Sequence, residues 1–423
     1  MSKAYYQWLL SPSMGSTASS IATTAFQILL LSRLAASEAT SAVGAFVFLV
    51  SVASALKLLD VTGAIHAGRL LVSSQISGGS DVWGLVSTSL LMSVAVYIPF
   101  LLMTIFAPDA VRLASVFGAE FRGYYGILYL AVSLVIANNV TATLVGICDA
   151  VELSLHRSLS NIVCVLVLGG IYIISSIEAS IEVNLYFLVA LGAINAVTLY
   201  GLLFYRLNAD SFRGKVSPRW ARELLSYGLG VHVSSISGLI FDPLFKIALG
   251  SAASAERLGA YELSIRFVSI VKALSASFFL PLIPKFANTQ ISLPDRLGEL
   301  KKYSYITVAV LVIIFFLMTV AMPIVQHIFS LQNSKYFSTI FYCGLLAYFV
   351  NISFSPLYLF CQANAHFFWN TLGQLFIAGA AFFLLFYGDF LGVIPELSFL
   401  IALALGSVLT GVGNLARVRF LGR

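Results

Sequence analysis

The chain has 423 residues, of which 59% are hydrophobic and only 10% are charged, with a formal net charge of +6. Soluble domains carry roughly a quarter charged residues, so this composition excludes a water-soluble globular fold. Residues 305–322 are apolar on every side, which also excludes the alternating strands of a membrane barrel. Helices are the remaining way to satisfy a backbone in lipid, and the sequence predicts an all-α polytopic membrane protein.

Apolar runs of about 20 residues, separated at glycines, prolines and charge clusters, predict about twelve transmembrane helices. No removable signal peptide is evident in the first 35 residues, so the first helix is expected to stay in the mature protein. The predicted spans are residues 17–36, 43–70, 84–107, 121–147, 157–177, 184–206, 224–250, 258–283, 303–329, 337–361, 366–388 and 393–416.

A basic loop separates the first six spans from the last six. It predicts an N-terminal lobe at 1–206, a basic linker at 207–223 and a C-terminal lobe at 224–423. Basic loops stay in the cytoplasm, which puts the linker and both termini on the cytoplasmic side of the membrane. We interpret the linker as a topology anchor that touches anionic membrane lipids, with no nucleic acid partner. Its basic residues are Arg213, Lys215, Arg219 and Arg222, and Arg206 lies directly before it.

The two halves show an internal repeat. Residues 44–46, Gly-Ala-Phe, match residues 259–261, Gly-Ala-Tyr, at an offset of 215 residues. The same offset places Lys57 on Lys272, at equivalent depths of the second and eighth spans. Duplicated helix bundles are typical of transporters, so the repeat favours that class of protein.

The second span carries both signs of charge. An ionisable group at the centre of a bilayer costs at least ~2.5 kcal/mol, so each one needs a partner or a wet cavity. Lys57 and Asp60 are three residues apart, on one predicted helical face where they can neutralise each other. Arg69 ends the same span. The pair fits a structural role and a functional role equally well.

The seventh and eighth spans hold the other membrane charges. Asp242 and Lys246 are four residues apart, as are Glu262 and Arg266, whereas Lys272 has no acidic residue three or four positions away. A lysine inside a membrane span with no local acidic partner must face a wet cavity or a bound anion. A diphosphate headgroup is the anion that the inner leaflet most readily supplies.

No metal or cofactor is predicted. Asp149, Glu152 and His156 form a stripe at the inner end of the fourth span, but no fourth ligand is evident and a solvated helix end explains them. The four cysteines have no CxxC spacing and are interpreted as packing residues.

Three segments resemble a known family. The run from Leu58 to Gly63, Leu-Leu-Asp-Val-Thr-Gly, with Arg69 beyond it, is similar to the second-helix signature of the O-antigen flippases. These are polysaccharide transporters of the multidrug/oligosaccharidyl-lipid/polysaccharide (MOP) superfamily. Residues 242–250 and 258–266 resemble the seventh and eighth helices of the same family. Thr62 departs from the pattern, since a hydrophobic or small residue is more typical there.

The resemblance implies two pseudo-symmetric six-helix bundles around a central cavity, and alternating access driven by an ion gradient. The cargo would be an undecaprenyl diphosphate oligosaccharide, with polysaccharide assembly proteins as partners. The coupling ion, H+ or Na+, is not identified by any residue. Asp60, Asp242 and Glu262 are expected to be coupling or structural residues. The residues expected to bind the cargo are Lys57, Arg69, Asn138, Lys246, Arg266 and Lys272.

Two other functions compete with this interpretation. A multidrug or ion antiporter of the same superfamily would more naturally present unpaired acids to cationic drugs. A membrane-embedded polysaccharide polymerase would handle the same lipid-linked sugars. The sequence has no large outer loop, no AspXxxAsp signature and no nucleophile with a neighbouring base, so we do not expect an enzyme.

The loop charges predict that the C-terminus is cytoplasmic. A reporter fused after Arg423 that is active only in the periplasm should therefore stay silent in cells. Reporter activity from that fusion would overturn the model of twelve spans.

Overall fold

A computed structural model gives the fold of the chain. Over the residues that it describes, every regular element is a helix and no β-strand occurs, which confirms the predicted all-α fold. The described residues are 12–38, 40–60, 62, 64, 67–73, 79–107, 119–175, 178–207, 215–279, 286, 292–328, 335–364, 366 and 368–421.

Fifteen α-helices lie within the described residues, and each predicted span corresponds to one helix or to two consecutive helices. The helices of the first half are α1 Pro12–Glu38, α2 Thr40–Ala55, α3 Ala67–Ser73, α4 Gly79–Ala95, α5 Ile98–Phe106, α6 Leu128–Ala150, α7 Ser154–Ile174 and α8 Ile181–Leu207. Those of the second half are α9 Pro218–Ala252, α10 Ala255–Phe279, α11 Leu293–Ile328, α12 Lys335–Ser353, α13 Ser355–Ala363, α14 Phe368–Tyr387 and α15 Ser398–Leu421. Short 3₁₀ turns lie at Leu56–Leu59, Ala119–Ile127, Gly388–Leu391 and Pro395–Leu397.

Nine membrane-spanning segments in the described ranges are long and apolar enough to cross a bilayer. They correspond to the predicted spans other than the second, seventh and eighth, which are the three that carry the membrane charges. Large apolar side chains face outward along these segments; on α11, for instance, Ile313, Phe316 and Ile324 are exposed. An apolar surface of this extent is stable only in lipid, so the chain is a multi-pass membrane protein.

Three predicted spans are interrupted, which corrects the expectation of continuous helices. The second span stops at Ala55 and resumes at Ala67. The third is interrupted between α4 and α5, where Pro99 lies in the first turn of α5. The tenth is interrupted between α12 and α13, where Pro356 lies in the first turn of α13. Proline has no backbone N–H to continue a helix, so both positions favour a break.

The chain divides into two compact units, one with residues 1–30 and 45–247 and the other with 31–44 and 248–423. In the first unit, α3, α4, α6, α8 and the start of α9 pack around the buried indole of Trp83. A second cluster around Phe26 and Tyr172 joins α1, α7 and α8. In the second unit, α14 packs along α15, and α12 packs against α10 and α15.

Within the second unit, the first residues of α2 (40–44) cross α10 at matched glycines. A Cβ atom on Gly44, in α2, would overlap the carbonyl oxygen of Ala255, in α10. A Cβ atom on Gly259, in α10, would overlap the carbonyl oxygen of Thr40, in α2. Thr40 and Ala255 are separated by the same 215 residues as Gly44 and Gly259. The contact is therefore reciprocal at the offset of the sequence repeat, and it brings the two backbones together as small residues do in membranes.

We expect Gly44→Ala and Gly259→Ala each to destabilise the protein by about 2 kcal/mol, because a methyl group forces the two backbones apart. Thermal unfolding in detergent measures the effect. Gly201→Ala in α8 is the matched control, since no atom lies within 4 Å of a Cβ built there. Melting temperatures unchanged by the first two variants would show that the helices are not in backbone contact.

Candidate functional site

Asp60 lies where the second span leaves its helix. After α2 ends, the 3₁₀ turn Leu56–Leu59 is closed by the Asp60 N–H, which donates to the carbonyl oxygen of Lys57 at 3.1 Å. Asp60 has φ −83° and ψ 82°, outside the helical region. Backbone groups freed by such a break need new partners inside a membrane.

One carboxylate oxygen of Asp60 shapes the break. Asp60 Oδ1 accepts hydrogen bonds from the Thr62 N–H at 3.1 Å and from the Thr62 hydroxyl at 2.5 Å. The Thr62 hydroxyl oxygen in turn accepts the N–H of Ala64 at 3.3 Å. Asp and Thr side chains compete with the helix for backbone donors in this way. Thr62 therefore supplies part of the local structure.

The other carboxylate oxygen ties the break to two more helices. Asp60 Oδ2 accepts the Tyr97 hydroxyl at 3.1 Å and the Asn139 side-chain amide at 3.0 Å. Tyr97 is fully buried between α4 and α5, and Asn139 is buried in α6. All four donors are uncharged, and together they match the acceptor capacity of an ionised carboxylate.

The side chain of Asn139 also donates a hydrogen bond at the interruption of the third span. The Tyr97 N–H bonds to Val94 O at 3.0 Å instead of the Ser93 carbonyl that a regular α-helix would provide. The Asn139 amide donates to Ser93 O at 3.0 Å while it donates to Asp60. One side chain thus joins the breaks of two membrane spans. We call Asp60, Thr62, Tyr97 and Asn139 the Asp60 network.

The structure corrects one expectation about this region. Lys57 and Asp60 do not share an α-helix, because α2 ends at Ala55 and Lys57 lies in the 3₁₀ turn that follows. Their ion pair stays a prediction. Asn138 is exposed and its role in cargo binding stays a prediction, whereas its neighbour Asn139 donates to Asp60. Tyr97 carried no sequence signal of its own, although Pro99 two residues later marks the interruption beside it.

The predicted pair in the eighth span does form. On α10 the Arg266 Nε lies 2.6 Å from Glu262 Oε1, with Glu262 buried and the Arg266 side chain 33% exposed. Lys246 is buried in α9. Arg69, Asp242 and Lys272 lie in α3, α9 and α10, and their side chains fall outside the described part of the chain.

A second ion pair was not predicted. Arg257 lies in α10 and pairs with Glu396, whose side chain is completely buried. The Arg257 guanidinium also lies over the Tyr336 ring, 5.0 Å from its centroid. These contacts fasten α10 to the start of α12 and to the turn before α15, within the second unit. The sequence did hold a signal for this pair, because Glu396 is an acidic residue in the short segment directly before the apolar run of α15.

The acidic stripe beside the fourth span does not lie on one helix face. Helix α6 ends at Ala150, Glu152 has φ 63° in the turn that follows, and His156 belongs to α7. Asp149 forms an ion pair with Arg157 at 2.9 Å. The four cysteines are free thiols, two of them buried.

Charged groups held within a bundle of apolar helices define a multi-pass helical membrane protein. No family model matches the sequence, and no curated protein matches it. Solved structures do match: the lipid II flippase MurJ in an inward closed conformation has a TM-score of 0.70 at 15% identity, covering 95% of this chain and 87% of that one. An outward-facing multidrug resistance MATE transporter of the MOP superfamily has a TM-score of 0.63 at 15% identity, covering 98% and 97%.

A third match is a MOP superfamily transporter from Pyrococcus furiosus, with a TM-score of 0.60 at 15% identity, covering 97% of this chain and 95% of that one. At this level of identity, the likeness establishes the fold. The chain therefore has the fold of the MOP superfamily transporters, over nearly its whole length.

Asp60→Asn should lower the melting temperature in detergent. In asparagine an NH2 group takes the place of Oδ2 and cannot accept the Asn139 donor, so a charge-assisted bond worth about 1.5–3 kcal/mol is lost. Asp389→Asn is the matched control, because Asp389 is exposed in the turn Gly388–Leu391. Equal melting of the two variants would contradict the role given to the Asp60 network.

Proposed function

We propose that the chain is a flippase that moves an undecaprenyl diphosphate oligosaccharide, an O-antigen or related repeat unit, from the inner to the outer leaflet. The observation that carries the proposal is the sign of the charge inside the membrane. The second, seventh and eighth spans hold five basic residues and three acidic ones. A surplus of cations at this depth suits an anionic headgroup.

The described contacts of the acids support this choice of cargo. Glu262 is paired with Arg266, and Asp60 is held by uncharged donors at the break of its span. Both carboxylates are thus engaged within the protein. A multidrug exporter for cationic compounds would be expected to offer acids to its cargo, so the charge pattern favours the lipid-linked anion.

The fold supports transport and is compatible with either cargo. One neighbour flips lipid II, and another is described as a multidrug resistance transporter. The Pyrococcus furiosus protein is described as having a binding pocket of reversed polarity that suggests a different function. By the same reasoning, the surplus of bases in this chain favours an anionic cargo.

The bases proposed to bind the diphosphate are Lys57, Arg69, Lys246, Arg266 and Lys272, and Asn138 is proposed to contact the cargo. The protein would lie in the bacterial inner membrane with both termini in the cytoplasm and the lobes at 1–206 and 224–423. It would work beside polysaccharide assembly proteins and form no covalent bond. Alternating access would be coupled to H+ or Na+.

Lys272→Ala should abolish surface polysaccharide while the protein stays inserted and stable, since removing a deep cation relieves a desolvation penalty. Lys272→Arg should keep part of the activity, because the charge survives while the compact ammonium is lost. Surface polysaccharide and the amount of protein in the membrane are measured together.

Lys301→Ala is the control for this experiment, because Lys301 is exposed on α11. It should display polysaccharide at the wild-type level. Normal polysaccharide in Lys272→Ala cells would overturn the anion-binding role and indicate a lysine that extends toward the inner interface.

A further inference from the structure

Lys57 lies in a turn that the Asp60 network stabilises. It is the second residue of the 3₁₀ turn Leu56–Leu59, and its own carbonyl oxygen accepts the Asp60 N–H. A 3₁₀ turn has three residues per turn instead of 3.6, so the direction in which a side chain leaves it differs from that of a continuous α-helix. The position of the Lys57 ammonium therefore depends on where the helix stops.

Two kinds of contact decide where the helix stops. The donors from Thr62 are local, and they fix the path of the chain beyond Asp60. The donors from Tyr97 and Asn139 come from other spans, and they fix the place of Asp60 in the first unit. Without the hydrogen bonds from Tyr97 and Asn139, the helix would still end before Asp60, but Asp60 would no longer be bound to the other spans.

We propose that Tyr97 and Asn139 are positioning residues for the cargo. Through Asp60 they set the turn that presents Lys57, and so they determine how tightly the diphosphate of the cargo is bound without touching it. The inference rests on the proposed function, in which Lys57 binds that diphosphate.

The geometry indicates that Asn139 contributes more than Tyr97 to the positioning of Lys57. Its amide nitrogen donates to Asp60 Oδ2 in one break and to Ser93 O in the other, so its loss removes the direct link between them. Tyr97 contributes one hydroxyl to Asp60, and Tyr97→Phe keeps the buried ring in place. Asn139→Ala should therefore have the stronger effect of the two.

A labelling experiment without cargo tests the positioning step alone. The four native cysteines are replaced by alanine, Lys57→Cys is introduced into the full chain in lipid vesicles, and its reaction rate with a water-soluble maleimide is measured. Adding Asn139→Ala should change that rate about tenfold, the factor expected for loss of a charge-assisted hydrogen bond. Tyr97→Phe should change it in the same direction by less, and it replaces Asn139→Ala if that variant does not fold.

Asn161→Ala is the matched control. Asn161 also joins helices of the first unit, by donating to Ser19 Oγ at 2.6 Å and to Thr23 Oγ1 at 3.0 Å, but it makes no described contact with the Asp60 network. It should leave the labelling rate unchanged. Equal effects of Asn139→Ala and Asn161→Ala would overturn the inference.

A double-mutant cycle tests the link to cargo. Exchange of a fluorescent undecaprenyl diphosphate oligosaccharide across vesicles gives the cargo concentration for half-maximal rate. Asn139→Ala should raise it about tenfold, and should add nothing to Lys57→Ala, whereas Asn161→Ala should combine additively. Full additivity of Asn139→Ala with Lys57→Ala would overturn the inference.

The labelling rate and the cargo exchange together distinguish a failure of the positioning from a failure of the proposed function. A changed labelling rate together with cargo exchange that does not depend on Lys57 would keep the positioning of the turn and overturn the proposed function. An unchanged labelling rate together with exchange that depends on Lys57 would keep the proposed function and overturn the positioning.

Discussion

A helix inside a bilayer can stop only where other groups take over its backbone hydrogen bonds, because lipid offers none. Asp60 meets this constraint in the second span, with one carboxylate oxygen serving the local chain and the other bound to Tyr97 and Asn139. The same amide of Asn139 donates to the Ser93 carbonyl oxygen, which the interruption of the third span leaves without its regular helical donor. The half-buried carboxylate of Asp60 and its four donors therefore make two broken spans compatible with the membrane.

The spans themselves could be predicted from the sequence, since apolar length is a strong signal and each predicted span contains a helix. The ion pair of Glu262 and Arg266 could also be predicted, because its spacing is local and the helix there is continuous. Asp60 could not be placed by the same reasoning, as the rule of spacing assumes a helix that has already ended. Its partners are 37 and 79 residues away in the chain. Neither periodicity nor composition indicates a contact at that distance.

The sequence repeat gains a structural meaning at the crossing of α2 and α10. Glycines matched by an offset of 215 residues lie against each other's neighbouring carbonyls, so the two copies make the same contact from opposite sides. Asn138 and Asn139 show a limit of choosing site residues from the sequence alone, because adjacent residues of a helix point about 100° apart. Only Asn139 reaches Asp60.

We propose that cations inside this membrane fold bind the diphosphate of a lipid-linked sugar. The most direct test is to reconstitute the purified chain and follow two cargoes in the same vesicles, a fluorescent undecaprenyl diphosphate oligosaccharide and a cationic dye. We expect the lipid to cross the bilayer, free undecaprenyl diphosphate to compete with it, and the dye not to move. Transport of the dye without movement of the lipid would show that these cations do not serve an anionic cargo.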